Sequence, residues 1–432
     1  MAPNLTIIGS GWAGFYLAEN INPYKYNVTI ISPRRTSAYT PLLASAACGV
    51  FNFYLAEESV RSKSRKQLRF LKANVTAIDF ESKKCRCEPA FDDDDDDEHL
   101  PAFDIDYDLL VIAPGCVPNT FGTPGVEEHA VFLKNVSDAM KARKILFDLL
   151  EKASLPGTSP QRVRELLHIA VVGGGPTGIE MTAELDDLAH NELADLYPGV
   201  GDKLSISVHD VAPNILSAYD AKLYEYANTQ LVRRHIEVKT NSHIERVERD
   251  CFYTKEDGRI GCGMLVWATG NKNVPLLEGL DVRKTQKGLR RILTDSWLRV
   301  GRGKDGVDEL WDGVFALGDA ADIEGASLPT TAEVAVQKAK YLVDIFNSAS
   351  ENPDAAAHAP FKYQQKQVVS YIGSRDGVIA RNENDHEGWT GRRAWLAWRG
   401  YNVMWNRNLR SRIMIVFTWA MNAIFGKEIA KI

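Results

Sequence analysis

The glycine spacing G-x-G-x-x-G occurs twice in this chain, each time directly after an apolar run that reads as a buried strand. The first copy is Leu5-Thr-Ile-Ile-Gly-Ser-Gly-Trp-Ala-Gly14, with Gly9, Gly11 and Gly14. The second is Ile169-Ala-Val-Val-Gly-Gly-Gly-Pro-Thr-Gly-Ile-Glu180, with Gly173, Gly175 and Gly178. In such a turn the first glycine permits a tight reversal. The second lets backbone approach a pyrophosphate, and the third lets helix and strand pack closely. The helix that follows offers unpaired N–H groups to the anion. One copy alone is weak evidence. Two copies point to an α/β fold with two dinucleotide sites on one chain.

At 432 residues the chain exceeds one ordinary core, so two or three domains are expected. Val28-Thr-Ile-Ile31 reads as the second strand of the first unit. Such a strand normally ends in an acid that holds a ribose. Here Ser32 stands there, followed by Pro33 and Arg34. In the second unit the strand Leu204-Ser-Ile-Ser-Val-His-Asp210 does end in an acid. Asp210 favours NADH over NADPH, because a carboxylate binds the 2′-hydroxyl and repels a 2′-phosphate. The long gap from Gly175 to Asp210 predicts a lengthened helix or loop around residues 191–202. Strands ending at Gly115 and at Gly270 close the two units in parallel fashion. A further strand, Val314-Phe-Ala-Leu-Gly-Asp319, returns to the first unit and sets Asp319 at its carboxyl end, where ligands bind in open α/β sheets. Helices are expected over residues 137–152, 179–190 and 330–346, and a linker over 347–360.

The apolar and charged fractions are those of a soluble globular protein. The net charge of −6 is uneven: residues 361–432 hold 12 Lys/Arg against 5 Asp/Glu, or +7, which leaves −13 on the preceding 360. A basic tail on an acidic body suits an anionic partner surface, a membrane among the candidates. Residues 391–412 hold six arginines and no acid, and five of the nine tryptophans lie from Trp389 to Trp419. Trp398, Tyr401, Trp405 and Leu409 are spaced as one helical face requires. The run from Ile413 to Phe425 is nearly all apolar but too short to span a bilayer. Such a segment suits the membrane interface; a dimer or domain interface is the alternative. The run Asp92 to Asp97 repels itself and is expected in a loop, without the spacing of a calcium loop. Residues 61–69 read as a solvated basic stretch. The six cysteines form no C-x-x-C and no zinc spacing, so reduced thiols and no metal are expected. The N-terminus enters its first strand with no secretory or transit signature, and no nucleic-acid partner is expected.

The two glycine turns, the paired Ala-x-Gly strand ends and the Leu-Gly-Asp319 return strand resemble the two-dinucleotide-binding-domain flavoproteins. Within them the chain is similar to the alternative (type II) NADH:quinone dehydrogenases, from about Leu5 to the C-terminus. The residues that carry this are Ser32-Pro-Arg34 with Thr40-Pro-Leu-Leu43, the second glycine turn through Glu180, Trp267-Ala-Thr-Gly-Asn271, Ala316-Leu-Gly-Asp-Ala-Ala321, Pro329-Thr with Gln337, and Ala394-Trp-Leu-Ala-Trp398-Arg399. The resemblance implies an FAD domain (residues 1–116 and 286–360) with an inserted NADH domain (117–285) and a C-terminal amphipathic helical membrane-binding segment (361–432). It implies that Gly9, Gly11, Gly14 and Asp319 bind FAD and that Gly173, Gly175, Gly178 and Asp210 bind NADH. Ser32, Pro33, Arg34, Thr40, Pro41, Gly115 and Gly270 are further cofactor-binding positions. Glu180 would lie near the nicotinamide and flavin, and Glu333 and Gln337 would line the quinone site. The family commonly has a glutamine where this chain has Glu333. By residue type alone, Glu180 reads as a helix N-terminal acid held by the helix dipole, and Gln337 as a solvated helix position. The implied reaction passes a hydride from NADH to FAD and then two electrons to a quinone, ubiquinone by family, without proton pumping. Ser32 in place of an acid fits mitochondrial members, so a peripheral site on the mitochondrial inner membrane is implied, of unspecified face. A homodimer is compatible with it.

Three other functions share the fold. A thiol–disulfide reductase needs a cysteine pair beside the flavin, and Cys48 has no such neighbour in sequence. A sulfide:quinone oxidoreductase needs cysteines on both sides of the flavin, and none follows Cys262; Cys116 reads as a structural thiol. A non-catalytic NADH-sensing flavoprotein, like those implicated in cell-death signalling, is the remaining class. The quinone-side positions and the Trp/Arg tail favour the enzyme.

Overall fold

Asn4–Ile8 pairs in parallel with Asn27–Ser32 on one side and with Leu109–Ile112 on the other. Their residues are mostly apolar and buried, as strands covered on both faces must be. Leu68–Asp79 extends the parallel array beyond Asn27–Ser32, and Leu310–Ala316 extends it beyond Leu109–Ile112. Antiparallel strands on both sides, with Ala321–Ile323 added in parallel to Ile292–Thr294 at one edge, bring this sheet to ten strands. The computed structural model describes residues 2–61, 68–91, 100–217, 221–303, 309–348, 358–380, 388–427 and 429. The six-Asp run, most of the basic stretch 61–69 and most of the expected linker lie outside the described residues.

The chain forms two units. The first comprises Met1–Ala38, Ser59–Val117 and Asn271–Gln364. Its helices Trp12–Asn20 and Ala332–Ser348 cover the ten-stranded sheet: Phe15, Leu17, Leu342 and Phe346 pack with Leu5, Ile7, Val111 and Phe315. Phe346 meets Phe315 edge to face at 5.2 Å. Truncating such a side chain to alanine costs about 3–5 kcal/mol, so Phe346 is one fixed point of this layer.

The second unit comprises Tyr39–Glu58, Pro118–Gly270 and Gln365–Ile432. Its parallel sheet has the order Glu237–Lys239, Ser205–His209, His168–Val172, Met264–Trp267. The helix Pro176–Leu188 begins with proline, whose fixed φ suits a first helical position. It runs on through a π turn at Ala189–Leu193 into Ala194–Leu196, followed by a 3-10 turn at Gly201–Lys203. This is the lengthening that the gap before Asp210 predicted.

The tail differs from its sequence reading in two ways. It opens with an antiparallel hairpin, Val368–Gly373 against Asp376–Ala380, joined by Trp389–Thr390. The expected continuous face from Trp398 to Leu409 is also broken. One helix ends at Trp405 and another, Leu409–Phe425, starts anew. The cause is local. Asn406 is buried and donates to the Leu55 carbonyl at 3.3 Å, while the Asn408 side chain caps the second helix by accepting from Arg410 N at 2.9 Å. Among the described residues no helix is long and apolar enough to cross a membrane. The last helix nevertheless exposes Leu409, Ile413, Val416, Phe417, Ile424 and Phe425.

Candidate active site

Both glycine turns have the same steric construction. Gly9 has φ +101° and Gly173 has φ +112°, a region that favours glycine. A Cβ on Gly9 would stand 2.2 Å from the Ala113 carbonyl oxygen, and one on Gly173 would stand 2.7 Å from that of Ala268. The third glycines, Gly14 and Gly178, press against the first: their Cβ atoms would lie 2.0 and 1.9 Å from the Gly9 and Gly173 oxygens. The middle glycines, Gly11 and Gly175, face open space: a Cβ on either would have no described atom within 4 Å beyond its own chain neighbours. Each turn is thus tight inside and empty outside, as a cradle for a pyrophosphate must be.

The strand ends differ. In the first unit Ser32 is buried, and its Oγ accepts from Ser10 Oγ at 2.8 Å and from Arg34 N at 3.3 Å. Pro33 and Arg34 are exposed beside it. Asp319 sits on the turn after Leu310–Ala316 and accepts from Cys116 Sγ at 3.0 Å; Gly115, next to that thiol, has φ +75°. Under this turn lies Lys338, fully buried, donating to the Ala321 carbonyl at 3.2 Å. Its pKa is pushed down to about 8, chiefly by burial. Thr40 and Pro41 open a short turn that belongs to the second unit.

In the second unit Asp210 is anchored through both carboxylate oxygens. Oδ2 accepts from Gly174 N at 2.5 Å and Oδ1 from Ala212 N at 2.7 Å. Each oxygen keeps a further lone pair for a ribose hydroxyl. Gly270 is exposed; a side chain there would strike the Phe121 ring at 2.7 Å.

Glu180 stands past the first turn of its helix, so the dipole is not what holds it. Its carboxylate accepts from Trp398 Nε1 at 3.1 Å and from Tyr371 N at 3.5 Å. The Tyr371 and Trp398 rings stack with centroids 4.8 Å apart and, with Ala183, form a small cluster. Burial raises the Glu180 pKa to about 8, against the lowering effect of its two donors; nearby Glu184 adds to the rise. Glu184, one turn on, accepts from Ser45 Oγ at 2.5 Å, and burial raises its pKa to about 7. Tyr371 also donates from its hydroxyl to Asp187, which Arg234 holds in turn. Sequence reasoning missed Ser45, Glu184 and Tyr371. One signal was available: Glu184 recurs four residues after Glu180 on a largely apolar helix.

Glu333 and Gln337 lie one turn apart on Ala332–Ser348, and the structure brings them together. Gln337 Nε2 donates to Glu333 Oε1 at 2.5 Å and to the Gln364 carbonyl at 2.8 Å, while Gln364 N donates back to Gln337 Oε1 at 3.0 Å. Gln337 is therefore a fixed amide rather than a solvated one. The six cysteines form no disulfide, and all but Cys116 are buried.

A solved structure described as NDH2 from Plasmodium falciparum in complex with NADH matches with a TM-score of 0.89 at 25% identity, covering 100% of both chains. The sulfide:quinone oxidoreductase of Aquifex aeolicus matches at 0.68 with 16% identity over 98% of this chain and 96% of that one, which shows a shared fold alone. The family profile for pyridine nucleotide-disulphide oxidoreductases matches residues 3–339. Fold and cradles together define an FAD-dependent pyridine nucleotide oxidoreductase. A Dictyostelium discoideum protein named as a probable NADH dehydrogenase is 34% identical over 99% of this chain and 90% of its own length. The chain belongs to the alternative (type II) NADH:quinone dehydrogenase family. An external alternative NAD(P)H-ubiquinone oxidoreductase, B3 of Arabidopsis thaliana, is 39% identical over 74% of this chain, which spans 54% of that relative.

Proposed function

We propose that this chain oxidises NADH and reduces a quinone, ubiquinone being the substrate in its relatives' names, with FAD and NADH as cofactors. The observation that carries the reading is the presence of two complete cradles, one closed by a neutral serine pair and one by an anchored acid. FAD, when bound, supplies the chemistry that joins a hydride donor to a two-electron acceptor. Gly9, Gly11, Gly14, Ser32, Pro33, Arg34, Thr40, Pro41, Gly115 and Asp319 would hold it. Gly173, Gly175, Gly178, Asp210 and Gly270 would hold NADH, with the Asp210 carboxylate on the ribose diol. Reduction of a quinone by NADH consumes one proton from solvent besides the hydride. Glu180 holds such a proton at its carboxyl oxygen at neutral pH, since burial raises its pKa. Glu333 and Gln337, locked to each other, would present a carboxyl and an amide to the quinone.

The arginine-rich helices and the apolar side chains exposed on the last one support attachment to an anionic lipid surface, where the quinone dissolves. An enzyme lying on the bilayer moves no protons across it. The mitochondrial relatives support a place on the inner mitochondrial membrane. A second copy of the chain is the other occupant this face suits.

The test is NADH oxidation by the FAD-loaded chain with a short-chain ubiquinone, with and without anionic liposomes. Quinone-dependent turnover, raised by liposomes and lowered in the liposome assay by Phe417→Asp with Ile424→Asp, supports the reading. NADH consumption without quinone reduction would overturn it. Liposome independence with concentration-dependent sedimentation would assign the apolar face to a dimer instead.

A further inference from the structure

A line of polar side chains crosses the second unit beneath its cradle. The Gly261 carbonyl accepts from His168 Nδ1 at 2.8 Å. His168 Nε2 meets Ser207 Oγ at 2.8 Å, Ser207 Oγ meets His209 Nε2 at 3.1 Å, and His209 Nδ1 meets Ser242 Oγ at 2.9 Å. Ser207 and His209 are 1% exposed and Ser242 is 4% exposed. The strand Ser205–His209 therefore alternates: Ile206 and Val208 face one way, while Ser207 and His209 bury polar groups on the other. Strands buried on both faces are ordinarily apolar throughout. A polar stripe here costs desolvation at every atom unless each one is paired.

Every one is paired, and the direction of the pairing follows from its fixed end. A carbonyl only accepts, so His168 donates from Nδ1, and in that tautomer of the imidazole Nε2 is the acceptor. Ser207 then donates to His168 and accepts from the Nε2–H of His209. His209 Nδ1 is left as an acceptor, and Ser242 donates to it. The His209 ring stays neutral near pH 7, because burial, then the neighbouring His168, push its pKa down to about 4. Phe252 closes the site edge-on to this ring at 5.0 Å.

The far end of the line reaches Asp210. Ser242 is tied to two consecutive residues: its hydroxyl to His209, and its N–H to the Asp210 carbonyl at 2.9 Å. The Asp210 N–H donates in turn to the Lys239 carbonyl at 2.9 Å. The backbone on both sides of Asp210 Cα is thereby clamped, while its carboxylate is clamped by Gly174 and Ala212.

We propose that His209 and Ser242 are positioning residues for the dinucleotide, holding the end of this strand so that the Asp210 carboxylate meets the ribose hydroxyls of NADH and discriminates against NADPH. The inference rests on Asp210 being the ribose-binding acid.

The test uses the full FAD-loaded chain. KM and kcat are measured with NADH and with NADPH, and the Kd of ADP-ribose is read by calorimetry, independently of turnover. Ser242→Ala leaves the buried His209 Nδ1 without its donor. The expected result is a rise of about 3–10-fold in the NADH KM and in the ADP-ribose Kd, the scale of one lost hydrogen bond. The loss sits in KM rather than kcat, the NADH:NADPH preference falls, and Ser242→Thr restores both. His209→Asn, which offers a polar atom near Nδ1, falls between wild type and Ser242→Ala. Unchanged KM and Kd in Ser242→Ala, with only a lower melting temperature, would overturn the proposal. Asp210→Asn separates the two levels. If it raises KM while Ser242→Ala does not, the relay alone fails. If it leaves KM and Kd unchanged, the ribose reading fails and the proposal falls with it.

Discussion

The two glycine cradles share their sterics and differ in chemistry. In each, the first glycine adopts positive φ against the closing strand, the third presses on the first, and the middle one faces open space. At the neighbouring strand end the first offers the hydroxyl of Ser32, paired to Ser10, and the second offers a charge, Asp210, pinned by Gly174 and Ala212. Room for a pyrophosphate is thus a repeated backbone property. Under the proposed reading, the choice of dinucleotide falls to the residue at the end of the second strand, Ser32 or Asp210, and to whatever holds it still.

The largest effect should come from the shared sterics. Gly178→Ala drives a Cβ to 1.9 Å from a carbonyl, so a loss of about 3 kcal/mol in urea unfolding is expected, with loss of NADH binding. Gly175→Ala meets no such obstacle; its stability should hold while dinucleotide affinity falls. Equal effects on stability would break the division into a tight inside and an empty outside. Next in size is Asp210→Ser, which makes the second strand end like the first. A charged hydrogen bond is worth about 1.5–3 kcal/mol, so the NADH KM should rise by about tenfold or more, and NADPH should be relatively favoured.

Smaller effects come from the buried titrating groups. Glu180 keeps a proton in the folded chain up to about pH 8, whereas the unfolded chain releases it near 4.5. The folded state binds more protons in that window, so stability falls as pH rises from about 4.5 to 8. Glu180→Gln should flatten this slope in urea melts taken at several pH values. An unchanged slope would show that the carboxyl is not held protonated. Lys338 has the opposite sign. Its pKa is lowered from 10.5 to about 8, so stability rises with pH across that interval, and Lys338→Met should abolish the rise.

What was legible in sequence was what is local. Gly9 to Gly14, Gly173 to Gly178 and the residues closing each strand lie within a few positions of one another, and their spacing states the geometry. The helix Ala332–Ser348 and the detour before Asp210 were legible for the same reason. The Ser45–Glu184 and Trp398–Glu180 contacts were not, because their partners lie 139 and 218 positions apart. No local pattern marks Ser45 within its run of small residues. The break at Asn406 was missed because periodicity counts apolar positions and is blind to an asparagine side chain that satisfies a distant carbonyl.

The bond from Trp398 to Glu180 has a consequence for the making of the polypeptide. The carboxyl proposed to carry a proton acquires its indole donor and its dry surroundings only after the helix Arg392–Trp405 has left the ribosome and folded back. Until then Tyr371 lacks the ring that stacks on it and Ala183 lacks part of its apolar cover. The dry surroundings that raise the Glu180 pKa are thus completed by a residue 218 positions further along the chain.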